Sequence, residues 1–189
     1  MRLSILIPTL KKREESFYKL YFNLTDQISI LKLDNEIEIL LMIDSGEKTI
    51  GEKRNLLLHR ATGEYVCFFD DDDIPSKNYI EKIYEGIKSK ADCLSLRGVI
   101  TWDGERPEIF EHSIKYSEWK TNDTGDVKYE RYPNHLNVIK SIIAKQFKFP
   151  EINHGEDIDW SMQMRDSGLL KNEYYINEVL YHYQFNSVK

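Results

Sequence analysis

Four consecutive aspartates, Asp70 to Asp73, directly follow the apolar run EYVCFF. Adjacent carboxylates repel one another, so a core cannot hold such a cluster and a solvated loop does not need one. Carboxylate oxygens are good ligands for Mg²⁺ and Mn²⁺, which often share one or two carboxylates with the phosphates of a substrate. The cluster therefore indicates a divalent cation and a phosphorylated ligand. An acidic turn before the dipole of the next helix is the simpler alternative.

The segments around the aspartates alternate between strand-like and helix-like patterns. Short apolar runs predict buried strands, and apolar residues three and four apart predict amphipathic helices. The predicted strands cover residues 3–10, 36–44, 64–69 and 92–102, and the predicted helices cover 13–31, 52–62 and 77–89. This order predicts an α/β fold with a Rossmann-like, mostly parallel central sheet flanked by helices. Ligands bind such sheets at the carboxyl ends of the strands, where Asp44 and the aspartate cluster both fall.

The periodicity weakens after residue 100. Residues 101–135 are rich in aromatic and charged side chains and predict hairpins or a long loop over the site. A short helix is expected at 138–147, a helix closed by Gly168 within 153–168, and a final strand at 174–185. We expect a single domain over residues 1–189, with one ligand-binding half at 1–100 and a second, acceptor-side half at 101–189 that contains a small antiparallel or irregular region.

Composition excludes several classes of protein. The chain has 189 residues and a net charge of −6, and it has no basic tract, which makes nucleic acid an unlikely partner. Its two cysteines, Cys67 and Cys93, lie in apolar stretches without metal-site spacing and are expected to be reduced core thiols. No apolar run approaches the length of a membrane span, and no signal peptide is recognisable. A cytoplasmic protein is expected, with a peripheral association with a membrane left open.

Several motifs together resemble one family. They are SILIPTL at the first strand, an aspartate that ends the second strand, GEKRNLLLHRATGEYVCFFDDDDIPSKNYIEKI, and GEDIDWSMQMRDSG. This ordered set resembles family 2 glycosyltransferases with the GT-A fold, over roughly residues 3–100 and 150–185. The resemblance implies a GT-A fold and transfer of a sugar from a nucleotide-sugar donor.

The resemblance also implies roles for individual residues on the donor side. The donor is expected to be a UDP-sugar, and the cofactor Mn²⁺ or Mg²⁺. The implied nucleotide-binding residues are Pro8, Thr9, Asp44, Lys53, Arg54, Asn55, Asp70 and Asp71. The implied metal ligands are Asp72 in the DxD motif, Asp70, and His182 in LYHYQF, with Asp73 in a supporting position.

On the acceptor side, the resemblance implies that Asp157 is the general base and that Glu156 belongs to the same catalytic motif. Trp160, His154 and His135 are candidate acceptor contacts, and the sequence does not separate the two histidines from each other. Trp160 has an equally simple interpretation as a core residue. The identity of the acceptor and the oligomeric state stay open.

The function implied is metal-dependent, inverting transfer of one sugar to an acceptor hydroxyl in surface glycan or polysaccharide synthesis. Two alternatives remain at this point. One is a GT-A module that binds a nucleotide sugar or glycan without catalysis. The other is an aspartyl-phosphate phosphatase of the haloacid dehalogenase type, because DDDDI nearly matches its motif. An EF-hand is a poor match, since Ile74 and Pro75 stand where its loop needs Asp or Asn and Gly.

Overall fold

A computed structural model describes residues 1–187; residues 188 and 189 of the predicted domain lie outside the described part. The strands are β1 (Leu3–Leu10), β2 (Ile37–Asp44), β3 (Tyr65–Phe68), β4 (Ile74–Pro75), β5 (Cys93–Leu94), β6 (Leu96–Trp102), β7 (Glu105–His112), β8 (Lys120–Thr121), β9 (Tyr129–Arg131), β10 (Ile139–Lys140), β11 (Glu173–Tyr174) and β12 (Val179–Phe185). The helices are α1 (Glu14–Ile30), α2 (Ile50–Arg60), α3 (Tyr79–Ile87), α4 (Ser141–Ala144) and α5 (Glu156–Ser167). A single 3₁₀ turn, Lys11–Arg13, leads into α1.

The first sheet has the strand order β11-β5-β10-β3-β1-β2. Strand β1 pairs in parallel with both β2 and β3, while β10 is antiparallel to β3. Side chains of β1 are buried on both faces: Ile5 and Ile7 belong to the cluster that includes α1 and α3, and Leu6 to the cluster that includes α2, α4 and α5. The predicted arrangement, a largely parallel sheet with helices on both faces, is therefore confirmed.

The second sheet has the strand order β4-β12-β6-β7-β9-β8. It contains the antiparallel β6–β7 hairpin and the antiparallel β8–β9 pair, so the hairpins expected in residues 101–135 are present. Strands β10 and β11 join the first sheet although they follow residue 100, so the two predicted halves share one sheet.

Two predicted strands are each divided between the sheets. The prediction of one continuous strand at 92–102 was wrong, because the chain leaves the first sheet at Ser95 and continues as β6 in the second sheet. The prediction of a single strand at 174–185 was wrong for the same reason, since β11 and β12 lie in different sheets. The two crossings are hydrogen-bonded to each other: the Ile176 backbone N–H donates to Ser95 Oγ at 2.7 Å. The point at which the chain passes from one sheet to the other cannot be recognised in a continuous apolar run, because the side chains are buried in both sheets.

The two cysteines lie in the core, as the apolar stretches around them predicted. Cys67 and Cys93 are free and buried. Across residues 1–187, no helix has both the length and the apolar character needed to span a membrane.

Helix α2 is fixed to the segment before α5 by a two-bond clamp. The Asn55 side-chain amide donates to the Phe149 carbonyl at 2.9 Å, and the Phe149 N–H donates back to Asn55 Oδ1 at 2.9 Å. Phe149 is fully buried and stacks on Trp160 of α5, with ring centroids 4.7 Å apart. The clamp therefore sets the distance between α2 and α5.

We expect Asn55→Ala to lower the free energy of unfolding by about 1–3 kcal/mol, because both buried backbone groups of Phe149 lose their partner. Urea denaturation measures this change. The control is Asn35→Ala, at an exposed asparagine, which should change stability by less than about 0.5 kcal/mol. Equal stability of the two variants would contradict the clamp.

Candidate active site

Two adjoining cavities lie beside the aspartate cluster. The polar cavity, about 590 Å³, is lined by residues that include Pro8, Thr9, Lys48, Lys53, Asp72 and His154. The aromatic cavity, about 340 Å³, is lined by residues that include Trp102, Trp119, Tyr129, Arg131, His135 and Asp157. Asp70 and Tyr183 line both cavities. The carboxyl end of β3 therefore lies between the polar cavity and the aromatic cavity.

Two of the four aspartates, Asp71 and Asp73, form hydrogen bonds that connect the cluster to other segments of the protein. The Asp71 carboxylate accepts a hydrogen bond from Thr9 Oγ1 at 2.6 Å and one from Arg13 Nη1 at 2.9 Å. The Asp73 carboxylate accepts hydrogen bonds from the Tyr181 hydroxyl at 2.7 Å and the Gln184 backbone N–H at 2.9 Å. Burial raises the pKa of both carboxyls, and for Asp73 the negative charge of Asp70 raises the pKa further. These residues tie the cluster to β1, to the turn before α1 and to β12.

The other two aspartates, Asp70 and Asp72, line the polar cavity together with Asp71. Asp70 accepts from Arg54 Nη2 at 3.1 Å, and His135 Nε2 lies 3.4 Å from its second oxygen. Burial alone would raise the pKa of Asp70, but the His135 imidazole and the Arg54 guanidinium together hold it below its usual range. Asp72 has an oxygen 3.5 Å from Arg13 Nη1, and its side chain is 16% exposed. The structure thus brings the two outer residues of a DxD motif to one wall.

Helix α2 provides two buried cations that line the polar cavity, Lys53 and Arg54. Lys53 Nζ donates to the Thr9 carbonyl at 2.9 Å and forms an ion pair with Asp44. Asp44 also accepts from the N–H groups of Gly46 and Lys48. Lys53 therefore joins the ends of β1 and β2, and Gly46 and Lys48, rather than the Asp44 side chain, line the cavity.

Helix α5 begins beside the cluster with two carboxylates that have different environments. Glu156 is buried and forms an ion pair with Arg54 Nη1. Asp157 is 26% exposed and lines the aromatic cavity, with an oxygen 3.7 Å from His135 Nδ1. Glu156 thus anchors the helix at the polar cavity, and Asp157 is the more exposed carboxylate, at the aromatic cavity.

Several predicted site residues lie elsewhere. Asn55 holds Phe149 and does not line the polar cavity. Trp160 is 1% exposed in the core, so its indole has no face to offer a ligand. His182 pairs in register with Ile74, and its neighbour Tyr183 lines both cavities instead. The two candidate histidines are separated, because His154 lines the polar cavity and His135 the aromatic one.

Sequence reasoning missed several residues that line these cavities, among them Arg13, Tyr183 and Arg131. Burial and the neighbouring carboxylates raise the pKa of Tyr183 to about 12, so its hydroxyl stays protonated and can donate a hydrogen bond. Arg13 lies three residues after the end of the first strand, and that position was the available signal. Arg131 and Tyr183 carried no local signal, because their places depend on how β9 and β12 join the second sheet.

The residues present fit a divalent cation that is shared with a phosphorylated ligand. Within residues 1–187, no cluster of three or more His, Cys, Asp or Glu side chains has the arrangement of a complete protein-only metal site. Mg²⁺ and Mn²⁺ do not need one, since one or two carboxylates plus ligand phosphates suffice. Asp70 and Asp72 supply that set of oxygens at the polar cavity, whereas His182 does not line it.

Known structures with this fold are similar over nearly the whole chain. The structure of S. aureus TarS 1-349 in complex with UDP-GlcNAc matches with a TM-score of 0.65 and 16% identity, covering 100% of this chain and 60% of that one. The catalytic domain of Drosophila β1,4-galactosyltransferase 7 complexed with xylobiose matches with a TM-score of 0.57 and 13% identity, covering 95% of this chain and 66% of that one. This similarity confirms the expected GT-A fold.

Sequence comparison agrees with the fold. Glycosyltransferase GlyG of Streptococcus pneumoniae serotype 4 is 23% identical over 164 residues, which are 82% of this chain and 54% of the relative. The chain thus spans about half the length of that curated relative. The model of glycosyl transferase family 2 matches residues 40–152. Because that match covers more than half of the sequence, this chain belongs to glycosyl transferase family 2.

Proposed function

We propose that this chain transfers one sugar from a UDP-sugar to a hydroxyl group of a carbohydrate acceptor, with inversion at the anomeric carbon. The observation that carries the proposal is the junction of the two cavities at Asp70 and Tyr183. A phosphate-compatible space with the DxD carboxylates adjoins a space rich in aromatic rings that contains Asp157. Donor and acceptor would meet at that junction.

The polar cavity suits the nucleoside diphosphate. Lys12 and Lys48 line it, and in the described part of the chain the ammonium group of neither forms an ion pair with a carboxylate, so both are available for phosphate oxygens. A divalent cation held by Asp72 and Asp70 would neutralise the charge that develops on the departing diphosphate. UDP-GlcNAc is the first donor to test, because TarS is known in complex with it.

The aromatic cavity suits the acceptor. Aromatic faces lining a cavity of this size favour a sugar ring, and polar groups at its edge fix the orientation of the ring. Asp157 accepts the proton of the acceptor hydroxyl while that oxygen attacks the anomeric carbon. The bond from that carbon to the diphosphate oxygen breaks, and UDP leaves with the electron pair. His135 lies between the two carboxylates, with Nε2 3.4 Å from Asp70 and Nδ1 3.7 Å from Asp157.

A role in surface-glycan synthesis stays a prediction from the family resemblance. The phosphatase alternative has lost its support, because the chain belongs to glycosyl transferase family 2. A binding module without catalysis is the remaining rival, and the second experiment below separates it from an enzyme.

Asp72→Asn should abolish the manganese-dependent part of UDP binding, because the amide keeps the shape of the side chain but loses the charge that holds the cation. A thermal-shift titration with UDP, with and without Mn²⁺, measures this effect, since a ligand bound only to the folded state raises the Tm. The matched control is Asp34→Asn, at an exposed aspartate far along the chain from the cluster. An unchanged manganese-dependent shift in Asp72→Asn would contradict the metal assignment.

Asp157→Asn should lower sugar transfer by about 100-fold or more while UDP-GlcNAc binding is retained, because the general base is lost and the donor cavity is untouched. The assay is UDP release from UDP-GlcNAc in the presence of a panel of simple glycosides, alongside donor binding by calorimetry. Asp159→Asn, in the same first turn but exposed, is the control and should remain active. Equal activity in both variants would refute the role of Asp157, and donor binding without any transfer by the unmodified chain would favour the binding module.

A further inference from the structure

The aromatic cavity contains an arginine with an unusual environment. Arg131 is partly buried in β9, with its guanidinium carbon 5.1 Å from the centre of the Trp119 ring and 5.3 Å from that of Tyr129. Its Nη1 donates to the carbonyls of Lys120 and Glu130 at 2.6 and 2.9 Å. The two rings and two carbonyls hold the guanidinium in one position at the cavity wall.

Arg131 lacks the partner that comparable arginines have. Arg13, Arg54, Arg97 and Arg165 are also at least partly buried, and each lies within 4 Å of a carboxylate. In residues 1–187, no carboxylate lies within that distance of Arg131. Burial of a guanidinium without an opposite charge is unfavourable, and here burial lowers the pKa of Arg131.

The neighbouring groups do not supply the missing negative charge. Glu108 accepts a hydrogen bond from the Tyr129 hydroxyl at 2.8 Å but forms no ion pair with Arg131. His112 lines the same cavity, and burial lowers its pKa to about 3, so its imidazole is neutral. Asp157 and Asp70 also line the cavity, but Asp70 is paired with Arg54 and neither carboxylate is within 4 Å of Arg131.

A second unsatisfied group lies beside the guanidinium. The Trp119 indole Nε1 is buried and has no hydrogen-bond acceptor in the described part of the chain. Such orphan donors are uncommon, because a buried N–H without an acceptor loses the hydrogen bonds that it had in water. Trp119 and Arg131 line the same cavity, so a ligand bound there would contact both side chains.

We propose that Arg131, Trp119 and Tyr129 form a subsite for an anionic group, a phosphate or a carboxylate, on the carbohydrate acceptor. This rests on the proposed function, in which the aromatic cavity takes the acceptor. A guanidinium presents N–H donors in a planar fork that matches both kinds of anion. The subsite therefore selects a charged acceptor over a neutral sugar.

The test is a titration of the whole chain, with ¹⁵N in its tryptophan indoles, against glucose 6-phosphate, glucuronate and glucose. Of the three tryptophans, Trp102 and Trp119 line the cavity, and Trp160 in the core is an internal reference. We expect both charged sugars to shift the Trp119 signal at concentrations about tenfold or more below that needed for glucose, the selectivity of one charge-assisted contact. A stronger response to glucose 6-phosphate identifies phosphate as the group, and a stronger response to glucuronate identifies carboxylate.

Two substitutions of Arg131 and one control substitution test whether the preference for charged sugars depends on Arg131. Arg131→Gln should remove the preference for charged sugars, and Arg131→Lys should keep part of it through the retained charge. Arg106→Gln, at an exposed arginine on β7 outside the cavity lining, should leave the preference intact. Equal responses to charged and neutral sugars, no response to any of the three, or a preference that survives in Arg131→Gln would overturn the proposal.

UDP binding by calorimetry on the same samples separates the two proposals. If UDP binds but the charged sugars are not preferred, only the anionic subsite is refuted. If neither UDP nor any sugar binds, the proposed transferase function fails as well.

Discussion

The arrangement of the site depends on one buried arginine, Arg54. Its guanidinium contacts Asp70 at the end of β3 and Glu156 at the start of α5, so a residue of α2 joins the three segments that line the cavities. The rings of Phe68 and Phe149 lie 5.8 and 5.7 Å from the guanidinium carbon, and Glu156 in the second ion pair is buried. Removal of one partner from a buried pair typically costs about 3–5 kcal/mol, because the remaining charge is left without compensation. Asp157 follows Glu156 directly, so the same contact that fixes the helix also fixes the proposed base.

The four aspartates make sense once their partners are known. Asp71 and Asp73 point into the protein, where a hydroxyl group and an N–H or guanidinium group satisfy each of them. Asp70 and Asp72 line the polar cavity together with Asp71, but both oxygens of Asp71 already have partners within the protein. The repulsion expected within the cluster is thus reduced by separation of alternate side chains and by the cations of Arg13 and Arg54. Two of the carboxylates position the loop, and the other two are left for the chemistry that we propose.

The sequence predicted the elements whose patterns are local. Strand β1, the helix α1 and the strand before the aspartates were recognisable because apolar periodicity is a property of the segment itself. Long-range pairing was not predictable in this way. In β12 the register shifts between Val179 and Tyr181, and since side chains alternate across a strand, such a shift decides whether His182 or Tyr183 faces the site. Trp160 was ambiguous for a related reason, because a tryptophan at a helix start suits a core and a sugar-binding face equally well.

The central claim is that the donor occupies the polar cavity with its anomeric carbon turned toward Asp157. The most direct test is a crystal structure of this chain with UDP-GlcNAc and Mn²⁺. We expect the diphosphate and the metal at Asp72, and the sugar at the junction formed by Asp70 and Tyr183, with its anomeric carbon open to the aromatic cavity. A nucleotide bound outside the polar cavity, or a sugar whose anomeric carbon faces away from Asp157, would contradict the account.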